Sequence, residues 1–227
     1  MKYVMSALGV FCLTVGFARG GWWLLDAWIG FNFLLVGLAH AAGFQRQLGK
    51  HRDGTLPLWS WLLFLPYHLV IRLIWNIARL TVNEPAYNQA SEDLFVGRRL
   101  LGGELDAVIS TVDNYVDLTS EFTEPAKIRA LPAYLCCPVL DGGAPSPEQL
   151  VVWLAALRPG RTYVHCARGY GRTGLFAVAI LLSRGTVTTI DEGLAFLKRS
   201  RPRVRLNPVQ RACLGGYLEL RRQTALG

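Results

Sequence analysis

Acidic residues are scarce at one end of this chain. The first eighty residues hold only Asp26 and Asp53 against seven Lys/Arg, whereas the remainder holds fourteen acidic groups against seventeen basic ones. That imbalance, in an apolar stretch, excludes an ordinary globular surface for the first part and suits a membrane-associated segment. Histidine is also rare. His40, His51, His68 and His165 are scattered, so no metal-ligand spacing is legible and no metal or cofactor is implied. Five cysteines at irregular spacing (Cys12, Cys136, Cys137, Cys166, Cys213) exclude a disulfide framework and fit a reducing compartment. The net charge of +8 comes without an aromatic-basic platform, which excludes nucleic acid as the partner and leaves anionic membrane lipid. Internal repeats and low-complexity tracts are lacking.

Long apolar runs are present. Tyr3 to Ala18 is interrupted only by Ser6 and Thr14, with Lys2 and Arg19 able to snorkel from its ends; Gly21 to Gly43 is of full spanning length. Gly9 and Gly16 share one side of the first run, and Asp26, Gly30, Gly37, His40 and Ala41 one side of the second, so the two are expected to pack as a transmembrane hairpin over residues 1–43. Asp26 and His40 read as groups reaching the interfaces of an anchor. Arg46, Lys50, His51 and Arg52 follow, which by the positive-inside rule places this loop in the cytoplasm. The region 44–80 ends in a third apolar stretch, Leu56 to Leu80. In its second half His68, Arg72, Asn76 and Arg79 recur at helical spacing as a basic stripe. This is expected to be an interfacial helix that keeps the rest of the chain cytoplasmic. A third transmembrane span is the alternative, and would move that part to the other side.

Residues 81–93 are polar, contain Pro85 and read as a linker. Over residues 94–227, strands are expected at Leu94 to Val96, Ala107 to Ile109, Tyr134 to Cys137 and Thr162 to Val164. Helices are expected at Pro147 to Leu157, Thr173 to Ser183, Ile190 to Ser200 and Pro208 to Arg222. Such alternation predicts an α/β domain with a largely parallel central sheet.

The most specific motif is His165-Cys166-Ala167-Arg168-Gly169-Tyr170-Gly171-Arg172-Thr173-Gly174. A strand ends at a cysteine, a loop with two glycines turns, and a helix starts near an arginine. Successive backbone N–H groups and a helix N-terminus then converge on one concavity, which suits a phosphate dianion and favours a thiolate at Cys166.

These residues resemble the active-site loop of the protein tyrosine phosphatase superfamily, in its dual-specificity branch, and the resemblance extends from about Leu94 to Leu218. It implies a cysteine-dependent phosphoric monoester hydrolase working through a phosphocysteine. Cys166 would attack phosphorus, and Arg172 would hold two phosphate oxygens. The backbone of Ala167, Arg168, Gly169, Tyr170, Gly171 and Arg172 would bind the remaining charge. The Thr173 hydroxyl would bond the sulfur, and His165 would order the loop from behind. Asp141, in a loop made mobile by Gly142 and Gly143, resembles the general acid, with Asp113 and Asp117 as reserves on another loop. Cys137 reads as a buried core thiol, an oxidative disulfide to Cys166 being the alternative. Lys198, Arg199, Arg201, Arg203 and Arg205 read as a solvated or lipid-facing surface, and Leu206 to Gln210 as a turn without chemistry.

Phosphoinositide phosphatases of the superfamily carry basic residues at the first and fourth positions inside this loop, where this chain has Ala167 and Tyr170. That departure counts against an inositol polyphosphate. Because the site is tethered to the bilayer, the expected substrate is a lipid phosphomonoester, by the same logic as superfamily members that dephosphorylate phosphatidylglycerophosphate. A phosphoprotein substrate and a catalytically silent phosphate-binding module are the alternatives.

Overall fold

The computed structural model describes residues 2–42 and 48–226. It divides into two compact units, one of Met1–His51 with Thr55–Val82, the other of Arg52–Gly54 with Asn83–Gly227. Arg46 of the expected basic loop and the boundary at residue 43 lie outside the described residues.

The first unit is helical: α1 (Lys2–Arg19), a short 3-10 turn at Gly21–Trp23, α2 (Leu24–Ala42), α3 (Leu58–Leu63) and α4 (Leu65–Thr81). Among the described residues one helical stretch, Gly21–Leu38, is long and apolar enough to cross a membrane; Met5–Arg19 is apolar but shorter. α1 and α2 pack at backbone distance. A methyl group added to Gly30 would lie 2.6 Å from the Gly9 carbonyl oxygen, and one added to Gly16 would lie 2.5 Å from the Ala27 nitrogen. The glycines anticipated from spacing are thus the residues that let the helices meet.

The third apolar region is two helices rather than one. The chain breaks at Phe64, and Pro66, which has no N–H to donate, sits in the first turn of α4. His68, expected on the polar stripe, is instead buried, 3.4 Å from the Ser60 hydroxyl. Arg72 lies over the Trp61 ring and Arg79 over Trp75. α4 leaves Leu69, Leu73, Ile74, Ile77 and Leu80 exposed.

The second unit is built on β1 (Tyr87–Ser91), β2 (Leu94–Arg98), α5 (Gly103–Ile109), β3 (Asn114–Thr119), α6 (Ala126–Arg129), β4 (Tyr134–Val139), α7 (Pro147–Ala155), β5 (Thr162–Cys166), α8 (Gly171–Ser183), α9 (Ile190–Ser200) and α10 (Pro208–Leu226). The sheet order is β1-β2-β5-β3-β4, with β1 antiparallel and the remaining pairs parallel. The expected α/β class with a largely parallel sheet is what is seen. β5 occupies the centre, and α8 behind it is apolar on nearly every side because its whole circumference is core, from Leu175 to Leu182. α7 and α9 begin on side-chain caps: Ser146 accepts from the Gln149 N–H, and Thr189 with Glu192 forms a reciprocal capping box.

Three local expectations fail. Ala107 to Ile109 belongs to α5, where Leu105 and Val108 point inward at helical spacing. The supposed linker contains β1, whose Tyr-Asn-Gln-Ala-Ser sequence is polar because it forms an edge. Asp117 lies in β3, not in a loop.

Candidate active site

β5 ends at Cys166 in the middle of the sheet, where the carboxyl ends of parallel strands open a crevice. The loop then turns through Gly169 at φ +76°. A Cβ there would lie 2.4 Å from the Gly97 carbonyl, so only glycine lets the loop pass β2 so closely. The Gly169 N–H donates to Cys166 Sγ at 3.2 Å. The Cys166 carbonyl turns the other way and accepts from the Arg99 N–H at 2.9 Å.

α8 carries Arg172 into the interior. Its Nη1 donates to Glu121 Oε2 at 2.9 Å and to the Val139 carbonyl at 2.7 Å. Its Nη2 donates to Glu121 Oε1 at 2.7 Å and to Asp141 Oδ1 at 3.1 Å. Burial opposes this charge, but Glu121 and Asp141 outweigh it and hold the guanidinium protonated well above its ordinary range. The Nε–H is buried with no partner among the described residues, a donor left over for an anion.

Asp141 follows β4 and is about a third exposed, its second oxygen 3.8 Å from the Arg168 guanidinium. Its loop is pinned rather than loose. Asn207 donates to the Gly142 carbonyl at 2.8 Å and Gln210 to the Gly143 carbonyl at 3.2 Å. These two side chains also cap the start of α10 reciprocally. The segment read as a plain turn therefore fixes the Asp141 loop.

Behind the loop His165 is fully buried, stacked on Tyr163 and 3.8 Å from Asp117 Oδ1. Asp117, Glu124 and His165 present ligand-type atoms within 4.8 Å of one another. Asp117 accepts from Thr119 and from the Tyr134 hydroxyl, and Glu124 Oε1 accepts from Arg99. Burial, with Asp117 alongside, holds the Tyr134 hydroxyl protonated well above its ordinary range. The cluster lies buried under the loop.

Three sequence readings change, and the buried core thiol expected at Cys137 holds. The Thr173 hydroxyl donates to the Gly97 carbonyl at 3.4 Å, not to the sulfur. Asp113 accepts from the Arg161 backbone N–H, 48 residues along the chain, at 2.7 Å. Cys137 is a fully buried core residue, and all five cysteines are free thiols. Arg201, expected on a solvated or lipid-facing surface, is buried against the Cys166–Arg172 loop. Glu121 was not anticipated at all; nothing in Ser120-Glu121-Phe122 signals a partner fifty residues away.

No family model and no curated protein matches the sequence. Solved structures do match. Tk-PTP in its active form is 26% identical with a TM-score of 0.53, over 60% of this chain and 97% of that one. Human DUSP28 is 21% identical with a TM-score of 0.51, over 61% and 97%. PTPMT1 in complex with PI(5)P is 15% identical with a TM-score of 0.53, over 62% and 99%. The unit from β1 to α10, with its phosphate-type loop at the end of the central strand, has the fold of the dual-specificity and tyrosine phosphatases.

Proposed function

We propose that this chain is a membrane-anchored, cysteine-dependent phosphatase that hydrolyses a phosphomonoester, with a lipid phosphate as its substrate. The observation that carries the reading is the grouping around Cys166. A loop N–H is aimed at its sulfur, a buried guanidinium has one donor unspent, and a carboxylate lies 3.1 Å from that guanidinium. In the first step the Cys166 thiolate bonds to phosphorus as the phosphorus–oxygen ester bond breaks, and Asp141 protonates the departing oxygen. In the second, the ionised Asp141 takes a proton from water, which attacks phosphorus and releases Cys166 as the leaving group. Loop amides and Arg172 stabilise the equatorial charge throughout.

The anchor rests on three features: the apolar stretch Gly21–Leu38, the close glycine contacts of α1 and α2, and the exposed apolar face of α4. Lys50 and Arg52 favour a cytoplasmic active site. A phosphoprotein substrate is the second reading, favoured by the likeness to Tk-PTP.

The test uses the full chain in lipid nanodiscs, assayed for phosphate release from phospholipid monoesters and from phosphopeptides. Preference for the lipid supports the proposal, and preference for the peptide replaces it. Phosphate binding without release from any substrate would mark a silent binding module. Asp141→Asn is expected to lower kcat about 100-fold for substrates with poor leaving groups, and much less for aryl phosphates that leave unaided. Equal losses across leaving groups would remove Asp141 from the acid role.

A further inference from the structure

A cradle of amide N–H groups leaves an equal number of carbonyls on its outer side. Because a trans peptide is planar, its N–H and C=O point in opposite directions. Whatever grips the outer carbonyl therefore aims the inner N–H. In this loop the gripping group is Arg201, at the C-terminal end of α9. Its Nη2 donates to the Arg168 carbonyl at 3.3 Å and its Nε to the Gly169 carbonyl at 2.9 Å. The first of these carbonyls belongs to the peptide whose N–H meets Cys166 Sγ. The second belongs to the next peptide, so the Tyr170 N–H is turned away from Arg201 as well.

We propose that Arg201 is a positioning residue for the phosphoryl-transfer reaction, setting the direction of the catalytic-loop amides by holding their carbonyls. The guanidinium is itself fixed on its far side. Nη1 donates to the Pro85 carbonyl at 3.1 Å and to Asn88 Oδ1 at 2.8 Å, and the Glu84 carboxylate lies 3.4 Å from Nη2. Glu84 also accepts from the Tyr170 hydroxyl at 2.8 Å, and the Tyr170 ring lies under the guanidinium. The side chain is 1% exposed, while Arg199, Arg203 and Arg205 of the same run are exposed. Only a planar fork can serve acceptors on two sides at once; a lysine ammonium keeps the charge but not the reach. The residues that fix Arg201 precede and begin β1, so the catalytic loop is braced between the segment entering the sheet and the end of α9.

The inference takes its turnover readout from the proposed phosphatase activity, so a second readout independent of turnover is needed. Iodoacetamide alkylation of Cys166, followed by mass spectrometry of its peptide, reports the thiolate; protection by inorganic phosphate reports the cradle. Burial pushes the Cys213 thiol up to about 12, which keeps it from competing. In the full chain, Arg201→Lys is expected to lower kcat on an aryl phosphate about 100-fold. It is also expected to slow Cys166 alkylation at pH 6 and weaken phosphate protection, each about tenfold. Asn88→Ala, which removes one acceptor and leaves the fold intact, is expected to move all three the same way by about threefold. Arg199→Lys should move none. Wild-type alkylation and phosphate protection in both Arg201→Lys and Asn88→Ala would overturn the inference. A chain that turns nothing over, yet shows alkylation and phosphate protection dependent on Arg201, would sink the phosphatase reading and leave this one standing.

Discussion

Cys166→Ser is expected to lower turnover on every phosphomonoester by about 10⁴-fold or more, while inorganic phosphate still binds. The argument is chemical before it is structural. Serine keeps the size and the hydrogen-bonding capacity of the side chain, so the loop has no reason to move. The Gly169 N–H that meets the sulfur can meet a hydroxyl, and Arg172 and its partners are untouched. An alcohol in that position, however, stays protonated near neutral pH, and among the described residues no histidine or carboxylate hydrogen-bonds the Cys166 side chain. The measurement is a pre-steady-state time course on an aryl phosphate with wild-type and variant chains, together with phosphate binding by calorimetry. Wild-type chain quenched during turnover should carry phosphorus on the Cys166 peptide. Turnover surviving in the serine variant would mean that another group attacks phosphorus.

Glu121→Ala carries the largest expected effect on stability, a loss of about 3 kcal/mol or more. Arg172 is 1% exposed and Glu121 2%, so the pair is shielded from solvent screening. Removing the carboxylate strips the guanidinium of its two-pronged partner and also leaves the Ser120 N–H and hydroxyl without the oxygen they donate to. The Val139 carbonyl and Asp141 remain, one on each nitrogen, but neither bridges the fork as the Glu121 carboxylate does. The urea midpoint should fall accordingly. In the surviving folded fraction Arg172 should swing toward Asp141, the carboxylate it already touches, and turnover should fall with it. Glu121→Gln, which keeps the shape and one acceptor, should lose less on both counts. An unchanged midpoint in the alanine variant would show that Arg172 needs no internal counter-charge.

The parts of this fold that could be read in advance share one property: their signal is local. The strand, two-glycine loop and helix around Cys166 announce themselves within one short stretch of chain. The glycine faces of α1 and α2 follow from spacing alone. What escaped depends on partners far along the chain. β3 reads Asn-Tyr-Val-Asp-Leu-Thr and has no apolar run, yet all six residues are buried, because Asn114 and Asp117 find polar partners at Arg158, Thr119 and Tyr134. Arg201 looks like its exposed neighbours until the loop 32 residues upstream folds over it. Glu121 is a surface carboxylate by composition, and becomes the seat of Arg172 only across 51 residues. Ala107 to Ile109 misled in the opposite sense, since three apolar residues in a row fit a strand as well as one turn of a helix.

Only five residues, 82–86, join the last helix of the first unit to the first strand of the second. If the first unit anchors the chain in a bilayer and the second carries the proposed phosphatase site, the enzyme would search in two dimensions. Its velocity would follow the mole fraction of substrate in the bilayer, and diluting the lipid with inert neighbours would slow it even at constant bulk concentration.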